Sequence, residues 1–132
     1  MKANELRVGN WVTGDDGPQK VAYLGETIGL WNSIGGTAKY QHNPIISHDM
    51  NNLKSIPLTP EILEKAGFVF YNNPNNTPSR IYKKDSDFRL CKFYNQNHFR
   101  LWHYPYGKAI RYVHQLQNLY YALTGEELNI DL

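Results

Sequence analysis

The chain has 132 residues, a formal net charge of +2 and 41% hydrophobic residues. A chain of this length and apolar content is expected to fold as one domain without disulfide or metal support, which excludes a disordered protein. No apolar run of 18 residues is present, which excludes a transmembrane helix, and the N-terminus has no apolar signal core. The single cysteine, Cys91, excludes an internal disulfide and fits a reducing compartment, so we expect a cytoplasmic protein.

The beginning of the chain predicts a small β meander. Residues 4–12 alternate as a strand does, and Gly9 marks a bulge or bend within them. Turns rich in glycine and aspartate separate two further strands, at 19–24 and 27–31. Three short strands with a bend are compatible with an SH3-like partial barrel, an analogy of fold that implies no function.

Residues 32–55 have no clear pattern, and either 39–41 or 45–46 is a candidate for a further short strand. A loop of this length in a compact domain is either functional or conceals an element.

A short helix is predicted over 57–68, because its punctuation is clear. Thr59 is placed to cap the N-terminus, Pro60 suits the first helical position and Gly67 ends the helix. The polar stretch 72–79 that follows has nothing with which to build a core, so we expect a boundary between two lobes there.

Three antiparallel strands are predicted next, at 81–84, 88–94 and 98–104. Alternation along the second and third strands gives the sheet two different faces. One face is apolar and is expected to lie under the C-terminal helix: Phe88, Leu90, Phe99 and Leu101. The other face is cationic and aromatic: Arg89, Phe93, Arg100 and Trp102.

A last strand is predicted at 108–112, and it leads into a helix from Tyr112 to Thr124. Apolar residues recur there at spacings of three and four: Val113, Leu116, Leu119, Tyr120 and Leu123. Polar, uncharged residues occupy the rest of the helix, and Gly125 follows where a left-handed residue ends many helices.

These elements predict an α+β fold: an N-terminal β meander, a short helix, and an antiparallel sheet covered by a C-terminal helix. We expect a single domain, 1–132, with two lobes. The first lobe comprises 1–71 and the second comprises 80–132.

Three blocks of sequence resemble a known family. They are KANELRVGNWV (2–12), IPLTPEILEKAGF (56–68) and YVHQLQNLYYALTGEEL (112–128), about a third of the chain. They are similar to a family of small uncharacterised bacterial proteins often associated with prophages and other mobile elements. The resemblance implies a cytoplasmic accessory protein, and it supplies no activity or catalytic residue.

The sequence has no clear catalytic or metal-binding pattern. His98 and His103 are five residues apart on one predicted strand, so alternation sends them to opposite faces. Cys91 lies within a predicted strand, where burial is the usual role of a cysteine, although its cationic neighbours would favour a thiolate. The chain has no phosphate-binding loop or dinucleotide fingerprint. We therefore expect no enzyme, no cofactor and no metal.

The clearest functional signal is the basic, aromatic segment between Arg80 and Arg111, which carries a net charge of +6. Its predicted binding residues are Lys83, Arg89, Phe93, Arg100, Trp102 and Tyr104. Tyrosine, tryptophan and arginine are enriched at protein–protein hot spots, so a protein partner is expected. Single-stranded nucleic acid is the alternative, because cations contact phosphates and aromatic rings stack on bases. A solvated sheet face with no binding role would show the same composition.

Overall fold

A computed structural model describes residues 1–31, 45–72, 79–84, 88–93, 96–102 and 107–132. It confirms the α+β fold, with two antiparallel four-stranded sheets and a C-terminal helix. None of the helices within these residues has the length and apolar character needed to cross a membrane. The likeness to an SH3 barrel and the division into two lobes stay predictions.

The first sheet has four strands in sequential order: β1 (Trp11–Gly14), β2 (Gly17–Leu24), β3 (Ile28–Trp31) and β4 (Ile45–His48). Strand β4 confirms the 45–46 candidate, while 39–41 lies outside the described residues. The expectation of a strand from residue 4 is wrong, since Ala3–Glu5 forms a 3₁₀ turn. A second turn follows it, in which the Asn10 side chain accepts a 2.8 Å hydrogen bond from the Arg7 N–H. Gly9 has a φ of +93° there, so the predicted bend is confirmed.

Strand β1 lies between two hydrophobic cores, because neighbouring residues of a strand face opposite ways. Val12 faces the first core, which is built within the N-terminal sheet and the residues beside it: Leu6, Val12, Val21, Ile28, Leu30 and Leu53. Trp11 faces the second core, with the helices and the second sheet. The strand therefore joins the two cores directly.

Helix α1 (Pro60–Lys65) is shorter than predicted, and its N-terminus is as predicted. The hydroxyl of Thr59 accepts a hydrogen bond of 3.3 Å from the backbone N–H of Ile62, and Pro60 occupies the first position. Gly67 follows with a φ of +90°, a conformation that glycine adopts without a steric clash.

The second sheet has four strands in sequential order: β5 (Val69–Asn72), β6 (Ser79–Lys83), β7 (Arg89–Phe93) and β8 (Arg100–Leu101). The apolar face is confirmed. Leu90 is opposite Leu101 and both belong to the second core, together with buried Phe88 and Phe99.

The predicted strand at 108–112 is instead a connection between separate elements. Ile110 pairs with Phe99 beside the second sheet, whereas Tyr112 pairs with Pro57 ahead of α1. Because Phe99 and Pro57 lie beside different elements, residues 108–112 do not pair along a single strand. The segment instead connects the second sheet to the chain before α1.

Helix α2 (Val113–Thr124) packs its apolar stripe into the second core. Val113, Leu116 and Tyr120 are buried, as predicted. Leu123 is 58% exposed, because the stripe leaves the core before the last turn. Gly125 ends the helix with a φ of +74°, and its N–H donates to the carbonyl of Tyr121 at 2.8 Å.

Candidate functional site

The strand register brings three of the predicted binding residues into one row across the second sheet. Lys83 on β6 is directly opposite Arg89 on β7. The N–H of Trp102 donates to the carbonyl of Arg89 at 2.9 Å, which continues the pairing of β7 with β8. Alternation places Lys83, Arg89 and Trp102 on the face opposite Leu90 and Leu101. We call these three residues the cationic row.

The next row of residues on the same face is largely buried from solvent. Ile81 is opposite Cys91, and Cys91 is opposite Arg100. Ile81 and Cys91 are 4% and 1% exposed, so this face has a buried centre. Phe93, farther along β7, is half-buried. Among the residues of this face whose burial is described, Ile81 and Cys91 are therefore a closed centre, and the cationic row lies beside it.

Arg100 is engaged within the chain. Its Nη1 donates to the carbonyl of Gly107, and its Nε donates to Nε2 of His98 at 3.1 Å. Because that nitrogen accepts a hydrogen bond, His98 is in its neutral form here. Burial, and then the charges of Arg100 and Arg111, hold the pKa of His98 below its ordinary value. Arg100 therefore joins His98 to Gly107 through its guanidinium group.

Two other lysines of the basic segment are directed to the core side. Lys84 Nζ donates to the carbonyl of Ala66 at 2.6 Å, and Lys92 Nζ lies 5.7 Å from the centre of the Phe99 ring. These contacts leave Lys83 and Arg89 as the cations of the cationic row.

The five described residues of the predicted site are all half-buried: Lys83, Arg89, Phe93, Arg100 and Trp102. Tyr104, the sixth, lies outside the described residues. The sequence predicted an exposed cationic and aromatic face, and in the described part the structure has a partly enclosed one. The binding role of these residues stays a prediction.

Arg89 is the member of the cationic row with an unmet hydrogen bond. Its Nε is buried and has no hydrogen-bond partner in the part of the chain that the structure describes. No ion pair among the described residues includes Lys83, Arg89 or Arg100. A buried donor without an acceptor costs about 1–3 kcal/mol, and more for a charged group. Binding of a ligand that supplies an acceptor to Arg89 would recover this free energy.

Cys91 is held in a poor environment for nucleophilic chemistry. Burial raises the pKa of its thiol, and the nearby Arg100 charge opposes this only in part. Its Sγ lies 4.0 Å from the carbonyl oxygen of Leu101. In the described part of the chain, no group of three histidine, cysteine or acidic side chains is placed to hold a metal ion.

A second candidate site was missed by the sequence analysis. A groove of about 640 Å³ runs between α2, the 107–110 segment and the N-terminal 3₁₀ turn; we call it the α2 groove. Leu101, Ile110 and Leu119 give it apolar walls. Its walls come from three distant parts of the sequence, so no local pattern marks it.

A buried histidine forms part of the wall of the α2 groove. His114 is 1% exposed, and neither ring nitrogen has a hydrogen-bond partner among residues 1–31, 45–72, 79–84, 88–93, 96–102 and 107–132. Its Nε2 lies 3.8 Å from Oε2 of Glu5, too far for a hydrogen bond, and the Tyr112 ring stacks on it at 6.0 Å between centres. Burial lowers the pKa of His114, and Glu5 opposes this to a smaller extent. The Lys2 backbone N–H donates a hydrogen bond to the Glu5 carboxylate, which lowers the pKa of Glu5. The Glu5 carboxylate is therefore ionised at neutral pH.

Comparison of the chain with models of protein families, with curated proteins and with solved structures finds no match.

Proposed function

We propose that this chain is a non-enzymatic protein-interaction module whose cationic row binds an acidic segment of a partner protein. The observation that carries the proposal is the strand register. It places Lys83, Arg89 and Trp102 side by side on three neighbouring strands. Neighbouring strands are about 4.8 Å apart, so two cations and an indole ring meet within the length of one short peptide.

The unmet donor of Arg89 favours an anionic partner. Its buried Nε has no acceptor among the described residues, and Lys83 beside it adds a second positive charge. A carboxylate of the partner would offer two oxygens to the guanidinium, a pairing that is stronger than a neutral hydrogen bond. The segment that binds is therefore acidic.

The partial burial of the row favours a protein over a nucleic acid. Stacking on a base requires an open ring face, and Trp102 and Phe93 are half-buried. Arginine and tryptophan in partly enclosed settings are instead typical of the residues that dominate protein interfaces. Two phosphate contacts, at Lys83 and Arg89, correspond to a salt slope of only about −1.4 for a single strand.

A recruiting role agrees with the family resemblance. A cytoplasmic accessory protein of a mobile element needs no chemistry of its own if it brings another protein to its place of action. The cationic row supplies the specificity for that partner.

A selection from random peptides tests this function directly. Random 12-residue peptides displayed on phage are selected against the immobilised full-length chain, and labelled copies of the enriched peptides are measured by fluorescence anisotropy. We expect the enriched peptides to be rich in aspartate and glutamate. The Lys83→Ala/Arg89→Ala variant should bind them at least about tenfold more weakly.

The matched control is Lys54→Ala/Lys65→Ala, which removes two exposed cations elsewhere and should leave the affinity unchanged. Enriched peptides without acidic residues, or equal affinity for the Lys83→Ala/Arg89→Ala variant, would show that the cationic row is not the site. A labelled single-stranded oligonucleotide, measured at about 50 and 200 mM salt, tests the alternative. Saturable oligonucleotide binding that this variant loses would replace the protein partner with a nucleic acid.

A further inference from the structure

We infer that the α2 groove is a second binding site, and that it takes an extended, apolar peptide segment of a partner protein with a basic residue facing Glu5. The site is separate from the cationic row and does not depend on the function proposed for it. Four features of the described residues carry the inference: the size of the groove, its walls, its backbone edge and its fixed polar groups.

The size and walls of the α2 groove suit part of a peptide. A volume of about 640 Å³ lies within the range of sites that enclose a small organic ligand or a few residues of peptide. Leu101 and Leu119 pack against the second core with part of each side chain and leave the rest accessible in the groove. Covering this apolar surface would favour binding by about 25 cal/mol for each Å² removed from water.

Within the described residues, the backbone beside the groove has a segment without backbone pairing. Ile110 uses both its N–H and its carbonyl in hydrogen bonds to Phe99, at 2.8 and 3.0 Å. An extended conformation continued from Ile110 would direct the N–H and the carbonyl of Ala109 away from Phe99. Residues 107–109 make no backbone–backbone hydrogen bond with another described residue, and the Gly107 carbonyl is occupied by Arg100, which leaves Lys108 and Ala109 as the edge. An extended peptide can continue the ladder there, as in other cases of strand addition.

One polar side chain in the groove, that of Gln115, is held in place by the chain itself. The side-chain oxygen of Gln115 accepts hydrogen bonds from the N–H groups of Arg111 and Tyr112, at 2.8 and 3.2 Å. Its amide nitrogen has no described partner and can donate to a peptide carbonyl. A fixed donor beside an open backbone edge suits a peptide main chain better than a purely apolar molecule.

The charge of the peptide follows from Glu5. Its carboxylate is ionised, lies next to the neutral His114 and accepts one hydrogen bond from a described residue, namely from the Lys2 N–H. It therefore has acceptor capacity for a lysine or arginine of the partner. Lys108 also lines the groove, but it is exposed, and its long stem allows the ammonium group to remain in water.

The rim that bears Glu5 is anchored, so the groove exists before a ligand arrives. Asn118 Nδ2 donates to the Glu5 carbonyl at 2.8 Å, and the same side chain accepts hydrogen bonds from Arg7 and Asn10 at 3.0 and 2.8 Å. A site held in its binding shape loses less conformational entropy when the ligand binds.

A pair of designed peptides tests the inference by fluorescence anisotropy on the full-length chain. The probe is a labelled, capped hexapeptide in which leucine and arginine alternate, and its counterpart has glutamate in place of arginine. We expect saturable binding of the arginine peptide, and binding of the glutamate peptide at least about tenfold weaker. The Glu5→Gln variant should narrow this difference. No saturable binding of the arginine peptide, or equal binding of the two peptides, would overturn the inference.

Variants and a modified peptide locate the binding. Leu119→Arg on the helix side and Ala109→Trp on the strand side should each lower the affinity for the arginine peptide at least about tenfold. Variants in two different walls keep the test valid if one of them fails to fold. Leu123→Arg is the matched control, since this residue of α2 is 58% exposed and lies outside the groove. Two further arginine peptides carry N-methyl groups, one at its odd-numbered and the other at its even-numbered backbone nitrogens. One of the two should not bind, because its methyl groups replace the N–H donors that pair with the backbone edge. Binding that is as strong in Leu119→Arg and Ala109→Trp as in the natural chain would contradict the groove as the site. Binding of both methylated peptides as strong as that of the unmethylated peptide would contradict strand addition. Lys83→Ala/Arg89→Ala should leave this binding unchanged, which separates it from the cationic row.

Discussion

The side-chain oxygen of Gln117 accepts a 2.8 Å hydrogen bond from the backbone N–H of Trp11. The amide nitrogen of the same side chain donates to the carbonyl of Gly9 at 3.2 Å. These two bonds join the C-terminal helix to the chain just before β1 and at its first residue. On the next residue of the helix, Asn118 bonds Arg7, Asn10 and Glu5. Two consecutive amide side chains thus hold the N-terminal segment against α2.

Replacement of Gln117 by alanine should destabilise the protein. The side chain is 2% exposed, so its removal leaves the N–H of Trp11 buried without an acceptor. A loss of about 1–3 kcal/mol in the free energy of unfolding is expected in urea. Asn129→Ala, at an exposed position, is the control. A change below about 0.5 kcal/mol would mean that this hydrogen bond does not hold the two parts together.

Arg89 and Arg100 should respond differently to replacement by methionine. Arg100 donates to Gly107 and His98, so Arg100→Met should lower the free energy of unfolding by about 1–3 kcal/mol. Arg89 Nε has no acceptor among the described residues, so Arg89→Met should be neutral or stabilising. Urea unfolding of the two variants under identical conditions gives the comparison. A larger loss for Arg89→Met would show that this guanidinium is satisfied within the free chain and is not reserved for a partner.

Stability should fall with pH below the ordinary pKa of histidine because of His114. Burial lowers its pKa in the folded state from 6.5, and the opposing effect of Glu5 is smaller. The unfolded chain therefore binds more protons between the two pKa values, so the stabilisation is complete above about pH 6.5 and is lost as the pH falls through the lower value. Besides Glu5, the N-terminal ammonium acts on His114, and the Tyr112 ring stacks on it.

The measurement is urea unfolding at about pH 7.5 and 5.5 for the natural chain and for His114→Gln, which cannot take up a proton. The pKa of His98 is lowered as well, so some dependence on pH remains in the variant. We expect a smaller loss of stability on acidification in His114→Gln. An equal loss in both proteins would contradict a depressed pKa at His114.

Gly125 should tolerate asparagine better than alanine. Its φ of +74° is the left-handed conformation, and a Cβ placed there meets no atom within 4 Å. The expected loss for Gly125→Ala is thus backbone strain alone, about 1–2 kcal/mol. Asparagine enters this conformation more readily, so Gly125→Asn should lose less. Thermal unfolding of the two variants ranks them, and the reverse order would be inconsistent with a left-handed end of the helix.

Local signals in the sequence predicted the elements that are stabilised locally. Thr59 and Pro60 mark the start of α1 because a capping bond spans three residues, and Gly125 marks the end of α2 because its conformation is a property of one residue. The alternation of Leu90 with Arg89 predicted the two faces of the second sheet for the same reason.

The connections that depend on distant residues escaped prediction. Gln117 and Asn118 look like solvent-facing residues of an amphipathic helix, and their partners lie more than 100 positions away in the chain. The buried centre of the cationic face, at Cys91, also depends on what covers the sheet rather than on its own pattern. The α2 groove has the same origin, since it exists only once its three walls are assembled.

The most direct test of the proposed function is the NMR signal of the Arg89 Nε–H group, assigned by comparison with the Arg89→Lys variant. An acidic peptide from the selection is titrated into the isotope-labelled chain. We predict a progressive shift of this signal as the Nε–H gains a carboxylate acceptor, with backbone shifts at Lys83 and Trp102 and an unchanged signal from Lys54. Binding of the peptide with the Arg89 signal unmoved, and with shifts elsewhere on the surface, would contradict the cationic row as the site.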